Sequence, residues 1–311
     1  MATYLVTGGA GFIGSHVAAA LLGRGNRVRV LDNFSTGRRE NLQGLTGVDL
    51  IEGDIRSYHT VREAVDGVHF VLHQAALPSV PRSIRDPITS NDVNVVGTLN
   101  VLNASRDAKV ARLIYASSSS IYGRNTELPK REDMMPLPIS PYAVSKLAGE
   151  FYCRAFTELY QFETVILRYF NVFGPRQDPK SQYSAVIPLF IDRILNNEPP
   201  SVNGDGSQTR DFTYVDNVVA ANLAACLAPH AAGRVLNIAG GKRYSVLDLV
   251  TALGEIMGRS IQPVFNPTRM GDVPHSYASI EAAGEVLGYA PHIDFRQGLE
   301  RTVGAMKGTA T

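Results

Sequence analysis

This sequence of 311 residues is poor in cysteine, in net charge and in long apolar runs. Its two cysteines, Cys153 and Cys226, lack metal-ligand spacing, which argues against a disulfide framework; both thiols are expected to be buried and reduced. A formal net charge of +1 is too small to hold polyanions, which argues against a general nucleic-acid binder. The sequence shows neither a membrane span nor a secretory signal, so we expect a cytoplasmic protein.

Short apolar runs alternate with helix-length segments through the first half of the chain. The runs are Tyr4–Thr7, Val28–Asp32, Val48–Glu52, Phe70–His73, Leu113–Ser117 and Val165–Leu167. Strands this apolar are typical of a parallel sheet covered by helices on both faces. We therefore predict an α/β fold: a Rossmann-like doubly wound parallel sheet with a smaller C-terminal α/β substrate lobe. The expected domains are residues 1–170 and residues 171–311, and the chain returns to the sheet around residues 210–240.

A glycine-rich turn follows the first predicted strand and opens a helix. It reads Gly8-Gly9-Ala10-Gly11-Phe12-Ile13-Gly14. Such glycines permit a tight turn and let a pyrophosphate approach the backbone at a helix N-terminus. The second strand ends at Asp32, whose carboxylate can accept the adenosine ribose hydroxyls and repel a 2′-phosphate. The pattern predicts a dinucleotide site that favours NAD over NADP, with Arg38 and Arg39 in a solvated loop.

Hydroxyl groups and one lysine form a second pattern. Serines at positions 117–120 follow the fifth strand, where ligands bind in open α/β sheets. Tyr142 and Lys146 are four residues apart on a predicted helix, so they share one face. A phenol with a pKa of about 10 becomes a useful base where nearby cations favour the phenolate. We expect Lys146 and an oxidised nicotinamide to lower the pKa of Tyr142.

With these motifs, the chain resembles the extended short-chain dehydrogenase/reductase family over its full length, and within it the nucleotide-sugar 4-epimerases. The resemblance implies catalysis by Ser118, Tyr142 and Lys146. It also implies that NAD is bound by a defined set of residues. These are Gly8, Gly11, Phe12, Ile13, Gly14, Asp32, Asn33, Asp54, Ile55, Asn94, Tyr142 and Lys146.

The resemblance further implies a uridine diphosphate (UDP) sugar as substrate. The implied contacts are Ser118, Tyr142, Asn171, Ile187, Arg210, Arg269, Asp272 and Ser276. A tyrosine at the position of Ser276 restricts such epimerases to unacetylated hexoses, and serine leaves more room. We therefore expect interconversion of UDP-N-acetylglucosamine and UDP-N-acetylgalactosamine. UDP-glucose and UDP-galactose are further expected substrates.

Other functions stay open at this point. Ser119 and Ser120 stand where nucleotide-sugar dehydratases of the family carry an Asp-Glu pair, which argues against dehydration. The alternatives are a 4-epimerase restricted to UDP-glucose, a UDP-glucuronate 4-epimerase, a net dehydrogenase or reductase, and a non-enzymatic NAD-binding protein. Relatives form dimers through two helices that correspond to residues 91–107 and 142–160, so a homodimer is expected.

Overall fold

The computed structural model of the chain describes residues 1–179, 185–267 and 274–308. Its strands are β1 (Thr3–Thr7), β2 (Arg27–Asp32), β3 (Val48–Glu52), β4 (Phe70–His73), β5 (Arg112–Ser118), β6 (Glu163–Tyr169), β7 (Val172–Phe173), β8 (Ser201–Asn203), β9 (Thr209–Arg210), β10 (Thr213–Tyr214), β11 (Val235–Ile238), β12 (Tyr244–Ser245) and β13 (Val264–Asn266). Seven of them form one parallel sheet in the order β11-β6-β5-β4-β1-β2-β3. The predicted doubly wound sheet is confirmed.

Helices cover both faces of this sheet. They are α1 (Phe12–Gly23), α2 (Tyr58–Val65), α3 (Val80–Arg85), α4 (Pro87–Asn91), α5 (Gly97–Asp107), α6 (Pro141–Tyr160), α7 (Val186–Leu195), α8 (Val215–Leu227), α9 (Val246–Met257), α10 (Glu281–Leu287) and α11 (Phe295–Gly308). Helices α1 and α8 pack together on one face, and α2, α5 and α6 pack on the other. Alternate residues of a strand point into the two cores: Val6 packs in the core on the side of α1 and α8, and Leu5 in the core on the side of α2, α5 and α6. Within the described ranges, every helix is too short or too polar to cross a bilayer.

The helical spacing of Val144, Leu147, Phe151 and Leu159 predicts the buried face of α6, and the structure differs. Val144, Phe151 and Leu159 are 53%, 57% and 74% exposed, and Leu147 is partly buried. The buried face instead carries Lys146 and Glu150, together with Phe156 and smaller residues. Neighbouring β5 leaves little room there, because a Cβ on Gly149 would lie 2.2 Å from the Tyr115 hydroxyl. The apolar stripe of α6 therefore belongs to the surface of the single chain.

The second half of the chain contributes to both parts of the molecule. β11 extends the central sheet beside β6, while the short pairs β7/β10, β8/β13 and β9/β12 form the smaller lobe. An aromatic cluster holds that lobe together: Tyr244 stacks on Phe295 with ring centroids 4.1 Å apart, and Phe212 stacks on Phe295 at 5.3 Å. The boundary between residues 170 and 171 stays a prediction.

Candidate active site

A crevice of about 730 Å³ opens at the carboxyl ends of the central strands. The connections reverse direction between β1 and β4, and this switch point is where open α/β sheets bind ligands. Loops after β1, β2, β3 and β4 line the crevice, together with the end of β5 and the first two turns of α6. Its volume falls in the range of ligand pockets, roughly 300–1,000 Å³.

The glycine turn forms the floor of one half of the crevice. Gly8 has a φ of +69°, and a Cβ there would lie 2.7 Å from the backbone of Ala75. A Cβ on Gly14 would lie 2.2 Å from the Gly8 carbonyl oxygen. Helix α1 begins at Phe12 behind Gly11, and Gly11 to Gly14 all line the crevice. The turn therefore leaves a space beside backbone N–H groups and a helix N-terminus, which suits a diphosphate.

Acidic side chains lie at the far end of this half of the crevice. Asp32 accepts hydrogen bonds from the Ala10 amide at 2.9 Å and the Phe34 amide at 2.8 Å, and burial raises the pKa of its carboxyl. Each carboxylate oxygen keeps a second lone pair for a ribose hydroxyl. Asp54 accepts from Asn33 at 2.8 Å, and hydrogen bonds from Arg56 lower its pKa to about 2.

The residues around this half of the crevice fit an adenine dinucleotide. Asp32, Asn33, Asp54 and Ile55 all line it. Arg39 forms a salt bridge with Glu52 at 2.5 Å, so its guanidinium does not occupy the place expected for the ribose. Arg38 lines the crevice and is half exposed. The fixed Asp32 carboxylate would repel a 2′-phosphate, which favours NAD.

Ser118, Tyr142 and Lys146 meet at the other half of the crevice. Ser140 caps α6 by accepting from the Ala143 amide at 3.2 Å, and Ser83 accepts from the Tyr142 amide at 3.0 Å. The Ser118 side chain lies near the Tyr142 phenol and acts to lower its pKa. Lys146 donates to the Ala116 carbonyl at 2.8 Å and lies 5.0 Å from the centre of the Tyr115 ring. A phenol, a hydroxyl and an ammonium are thus held within one site.

Burial controls the protonation of Tyr142 and Lys146 in the protein alone. It raises the pKa of Tyr142, and the nearby Ser118 side chain opposes that rise. Burial also lowers the pKa of Lys146 to about 8. The expectation that Lys146 and an oxidised nicotinamide together lower the pKa of Tyr142 stays a prediction, since it concerns the site with NAD bound.

Asn94 is placed behind the crevice rather than in its lining. It lies in a turn of π-helix, Asp92–Val96, and is 1% exposed. Its amide oxygen accepts from the Leu77 amide at 2.8 Å, and its amide nitrogen donates to Ser145 at 3.0 Å. In this structure Asn94 therefore orients the loop after β4 against α6.

Sequence reasoning missed a polar cluster in the crevice wall. Gln74 donates to Tyr169 at 3.1 Å and to Asn222 at 3.0 Å, and Gln74 and Tyr169 line the crevice. Gln177 also lines it, with a buried amide oxygen that has no hydrogen-bond partner. The sequence position of two of these residues could have indicated the cluster, because Gln74 and Tyr169 lie at or just after the carboxyl ends of β4 and β6.

The loop after β4 is strained where it borders the crevice. Ser79 has a φ of +111°, a conformation that non-glycine residues rarely adopt, and its side chain caps α3 by accepting from the Arg82 amide at 3.2 Å. Pro78, Ser79 and Arg82 all line the crevice. The loop therefore presents a fixed edge and a guanidinium to a bound ligand.

The residues expected to bind UDP are spread over the second lobe. Asn171 has a φ of +34° and donates to the Asp211 carbonyl at 3.1 Å, and Ile187 is buried near the start of α7. Arg210 donates to the Pro274 carbonyl at 3.1 Å, and the Ser276 amide donates to the Thr209 carbonyl at 3.0 Å. Arg269 and Asp272 lie outside the described residues.

One buried carboxylate organises this region. Asp211 accepts from the Gly240 amide at 2.8 Å and the Ala278 amide at 3.3 Å, with no solvent exposure. Burial raises its pKa to about 7, against these hydrogen bonds. Asp211 therefore ties the loop after β11 and the segment that carries Ser276 to β9. The described residues contain no cluster of three metal-ligating side chains.

Comparison with known proteins shows which family has this architecture. The model of the NAD dependent epimerase/dehydratase family matches residues 4–239. A putative UDP-glucose 4-epimerase of Methanocaldococcus jannaschii is 40% identical, over 97% of this chain and 98% of that protein.

Solved structures agree with this assignment. A UDP-N-acetylglucosamine 4-epimerase of Methanobrevibacter ruminantium, in complex with UDP-N-acetylmuramic acid, is 37% identical with a TM-score of 0.95, covering 99% of each chain. A UDP-glucuronic acid 4-epimerase of Bacillus cereus, in complex with UDP-glucuronic acid and NAD, is 34% identical with a TM-score of 0.92, again covering 99% of each chain. The chain therefore belongs to the NAD-dependent epimerase/dehydratase family, and its enzyme class is that of the UDP-sugar 4-epimerases, which are isomerases.

Proposed function

We propose that this enzyme interconverts UDP-N-acetylglucosamine and UDP-N-acetylgalactosamine, with UDP-glucose and UDP-galactose as further substrates. The observation that carries the proposal is Ser276, a small half-buried residue whose backbone amide donates to the carbonyl of Thr209, the neighbour of Arg210. A serine leaves space for an acetamido group that a tyrosine would fill. The similarity to a UDP-N-acetylglucosamine 4-epimerase supports the same substrate class.

In the proposed reaction, Tyr142 accepts the proton of the sugar 4-hydroxyl and returns it after inversion. Ser118, which lies near the phenol, holds the same oxygen and helps to transfer the proton. NAD, when bound, supplies the chemistry that oxidises carbon 4 to a ketone and reduces it again. A bound oxidised nicotinamide also adds the positive charge that favours the Tyr142 phenolate over its buried neutral form.

The cofactor contacts follow from the crevice. The glycines at positions 8, 11 and 14, with Phe12 and Ile13, hold the diphosphate on the N-terminus of α1. Asp32 and Asn33 accept and donate at the adenosine ribose, and Asp54 and Ile55 border the adenine. Lys146 binds the nicotinamide ribose.

The substrate nucleotide is assigned to the second lobe. Asn171 and Arg210 bind the diphosphate and Ile187 packs against the uracil, with Arg269 and Asp272 as further contacts expected from the sequence. Arginine can neutralise a diphosphate through bidentate hydrogen bonds. An anchored diphosphate allows the keto sugar to rotate and present its other face, which inverts carbon 4.

UDP-glucuronate is the second candidate substrate. Arg82 lines the crevice beside the strained Ser79, so a guanidinium is present for the sugar carboxylate. The Bacillus cereus relative that binds UDP-glucuronic acid is nearly as similar as the acetamido-sugar relative, at 34% against 37% identity. Direct comparison of the substrates separates the two.

Proton NMR of the purified enzyme with each UDP-sugar tests the proposal. Appearance of the galacto epimer from UDP-N-acetylglucosamine, seen at the anomeric sugar phosphate signal, is the expected result. Turnover of UDP-glucose or UDP-glucuronate alone, with NAD supplied, would overturn the acetamido assignment.

The size of residue 276 provides a sharper test. Ser276→Tyr should lower kcat/KM for UDP-N-acetylglucosamine at least tenfold while turnover of UDP-glucose persists, because the phenol fills the acetamido space. Ser276→Ala, which keeps the side chain small, should retain both activities. A parallel loss of both substrates in Ser276→Tyr would contradict the role of this position.

A further inference from the structure

The inward face of α6 carries a third ionisable residue in line with the two that the reaction uses. Tyr142, Lys146 and Glu150 follow one another at intervals of four residues, so their Cβ atoms lie roughly 5–6 Å apart along one face. Lys146 and Glu150 are 4% and 2% exposed. The mechanism assigns no role to this carboxylate.

Glu150 is bound by groups from the two central strands next to α6. Arg168, on β6, donates to both carboxylate oxygens, at 3.0 Å and 2.8 Å. Ser117, on β5, donates to one of the same oxygens at 2.5 Å and lines the crevice. Ser117 precedes the predicted catalytic Ser118, so the carboxylate is tied directly to the end of β5.

Stability alone is a weak reason for such a pair. Both side chains are 3% exposed, and desolvation makes a buried ion pair no better than well-packed apolar residues. Arg168 continues the connection by donating to the Tyr122 hydroxyl at 2.9 Å, and Tyr122 donates to Asn237 at 2.7 Å. The pair thus connects α6 to Tyr122 and, through it, to β11 at the edge of the central sheet.

The charges around Lys146 give the pair a chemical role. The ammonium donates to the neutral Ala116 carbonyl, and burial lowers the Lys146 pKa to about 8. Burial also raises the pKa of Tyr142, of Tyr115 on β5 and of Cys153 on α6, so all three are neutral at pH 7.

His73 on β4 is neutral too, because burial lowers its pKa to about 3. Among the described groups packed around Lys146, the formal charges left at neutral pH are therefore Glu150 and its partner Arg168. Electrostatic interactions with Cys153 and then with Glu150 oppose the fall in the Lys146 pKa, and of these two groups the carboxylate is the one that forms an ion pair.

We propose that Glu150 is a positioning residue, whose carboxylate keeps Lys146 protonated and holds the Ser117–Ser118 strand end, while Arg168 fixes the carboxylate in place. The inference rests on the proposed function, since it takes the roles of Lys146 and Ser118 from it. It predicts that the loss of activity at alkaline pH depends on Glu150.

The test compares the kcat–pH profiles of Glu150→Gln, Glu150→Asp and the double variant Glu150→Gln/Arg168→Gln with that of the wild type. In Glu150→Gln the alkaline limb should move to lower pH by about one unit, because the ammonium loses its counter-charge. The double variant, which leaves no unpaired guanidinium and so protects folding, should show a smaller shift in the same direction. Glu150→Asp should restore much of the wild-type profile.

A control pair lies at the opposite end of the same two strands. Arg112 on β5 pairs with Glu163 on β6 at 2.6 Å, far from the crevice. Glu163→Gln should leave the alkaline limb unchanged. The proposal would be overturned if the alkaline limb stayed unshifted in both Glu150→Gln and the double variant while activity fell equally at every pH. That result would make the pair purely structural.

A second readout separates this inference from the proposed function. NMR titration of the lysine side-chain ε-carbon signals, with Lys146 assigned through Lys146→Arg, gives its pKa without turnover. A lower Lys146 pKa in Glu150→Gln supports the inference even if no UDP-sugar is epimerised. An unchanged Lys146 pKa in an active enzyme refutes the inference and leaves the function standing.

Discussion

At the scale of single residues, burial controls the protonation of this site. Tyr142 and Lys146 both lose hydration, which moves their pKa values in opposite directions: that of the phenol rises and that of the ammonium falls to about 8. Neutral forms are thereby favoured in the protein alone. In our proposal, Glu150 and the oxidised cofactor supply the charges that favour the reactive forms.

Replacing Tyr142 with Phe tests the proposed general base. Turnover should fall by roughly 10²–10⁴-fold, because the hydroxyl that exchanges the proton is gone. The cofactor content should be unchanged, because the glycine turn and Asp32 are untouched. Cofactor released on denaturation and initial rates measure the two effects, and near-wild-type turnover would remove Tyr142 from the mechanism.

Asp211 should make stability depend on pH in a defined direction. Its pKa rises from 3.8 to about 7 on folding, so the folded state binds the proton more tightly. The stabilisation from protonation is present at low pH and is lost as pH rises from 3.8 to about 7.

Urea unfolding of the wild type and Asp211→Asn at pH 5 and pH 8 measures this dependence. The wild type should lose stability relative to the variant as the pH rises, since the amide does not titrate. A wild-type advantage that grows toward pH 8 would show that the backbone hydrogen bonds to the carboxylate outweigh its burial.

At the scale of elements, glycines decide where β1 and α1 can meet. Gly14 stands in the first turn of α1 directly against Gly8, whereas Gly23 ends the same helix in open space. The two positions share a helix and differ in what surrounds them. The difference explains why α1 requires glycine where it crosses the end of β1 but not at its own C-terminal end.

Gly14→Ala should destabilise the protein by about 1–3 kcal/mol, because the added methyl group overlaps the Gly8 carbonyl. It should also weaken NAD binding, since the turn must open to make room. Gly23→Ala should be neutral or stabilising by up to about 1 kcal/mol. Thermal unfolding and NAD titration compare the two, and equal behaviour would contradict the close contact.

At the scale of the whole molecule, the exposed apolar stripe on α6 indicates an interaction surface. Phe151 and Leu159 are 57% and 74% exposed on a helix whose other face is packed on the sheet. Contiguous exposed apolar surface of this kind marks an interaction site. We expect two copies of the chain to cover it by pairing α5 and α6.

Leu159→Glu should convert that dimer into a monomer, because a carboxylate would be buried in the interface without a partner. Leu227→Glu is the matched control: this leucine is 68% exposed at the end of α8, on the opposite face of the sheet. Sedimentation velocity distinguishes the states. A monomeric wild type, or a dimer that survives Leu159→Glu, would refute the pairing.

Most of the fold and half of the site were predictable because they depend on local requirements. Apolar runs at strand length, the glycine turn and the Tyr142–Lys146 spacing each report a backbone or periodicity constraint that neighbouring residues impose on one another. The crevice lining at Asp32, Asp54 and Ile55 follows, since the carboxyl ends of parallel strands share one edge of the sheet.

The sequence by itself therefore determined the sheet, the glycine turn and the spacing of Tyr142 and Lys146 on one helix. The tertiary structure alone decided which face of α6 is buried, that Asn94 binds Leu77 and Ser145, and that Glu150 meets Arg168. Those outcomes depend on which strands and loops stand opposite, and burial then sets the pKa values. A sequence pattern contains the spacing of side chains along one element, but not the desolvation and charge that other elements bring to them.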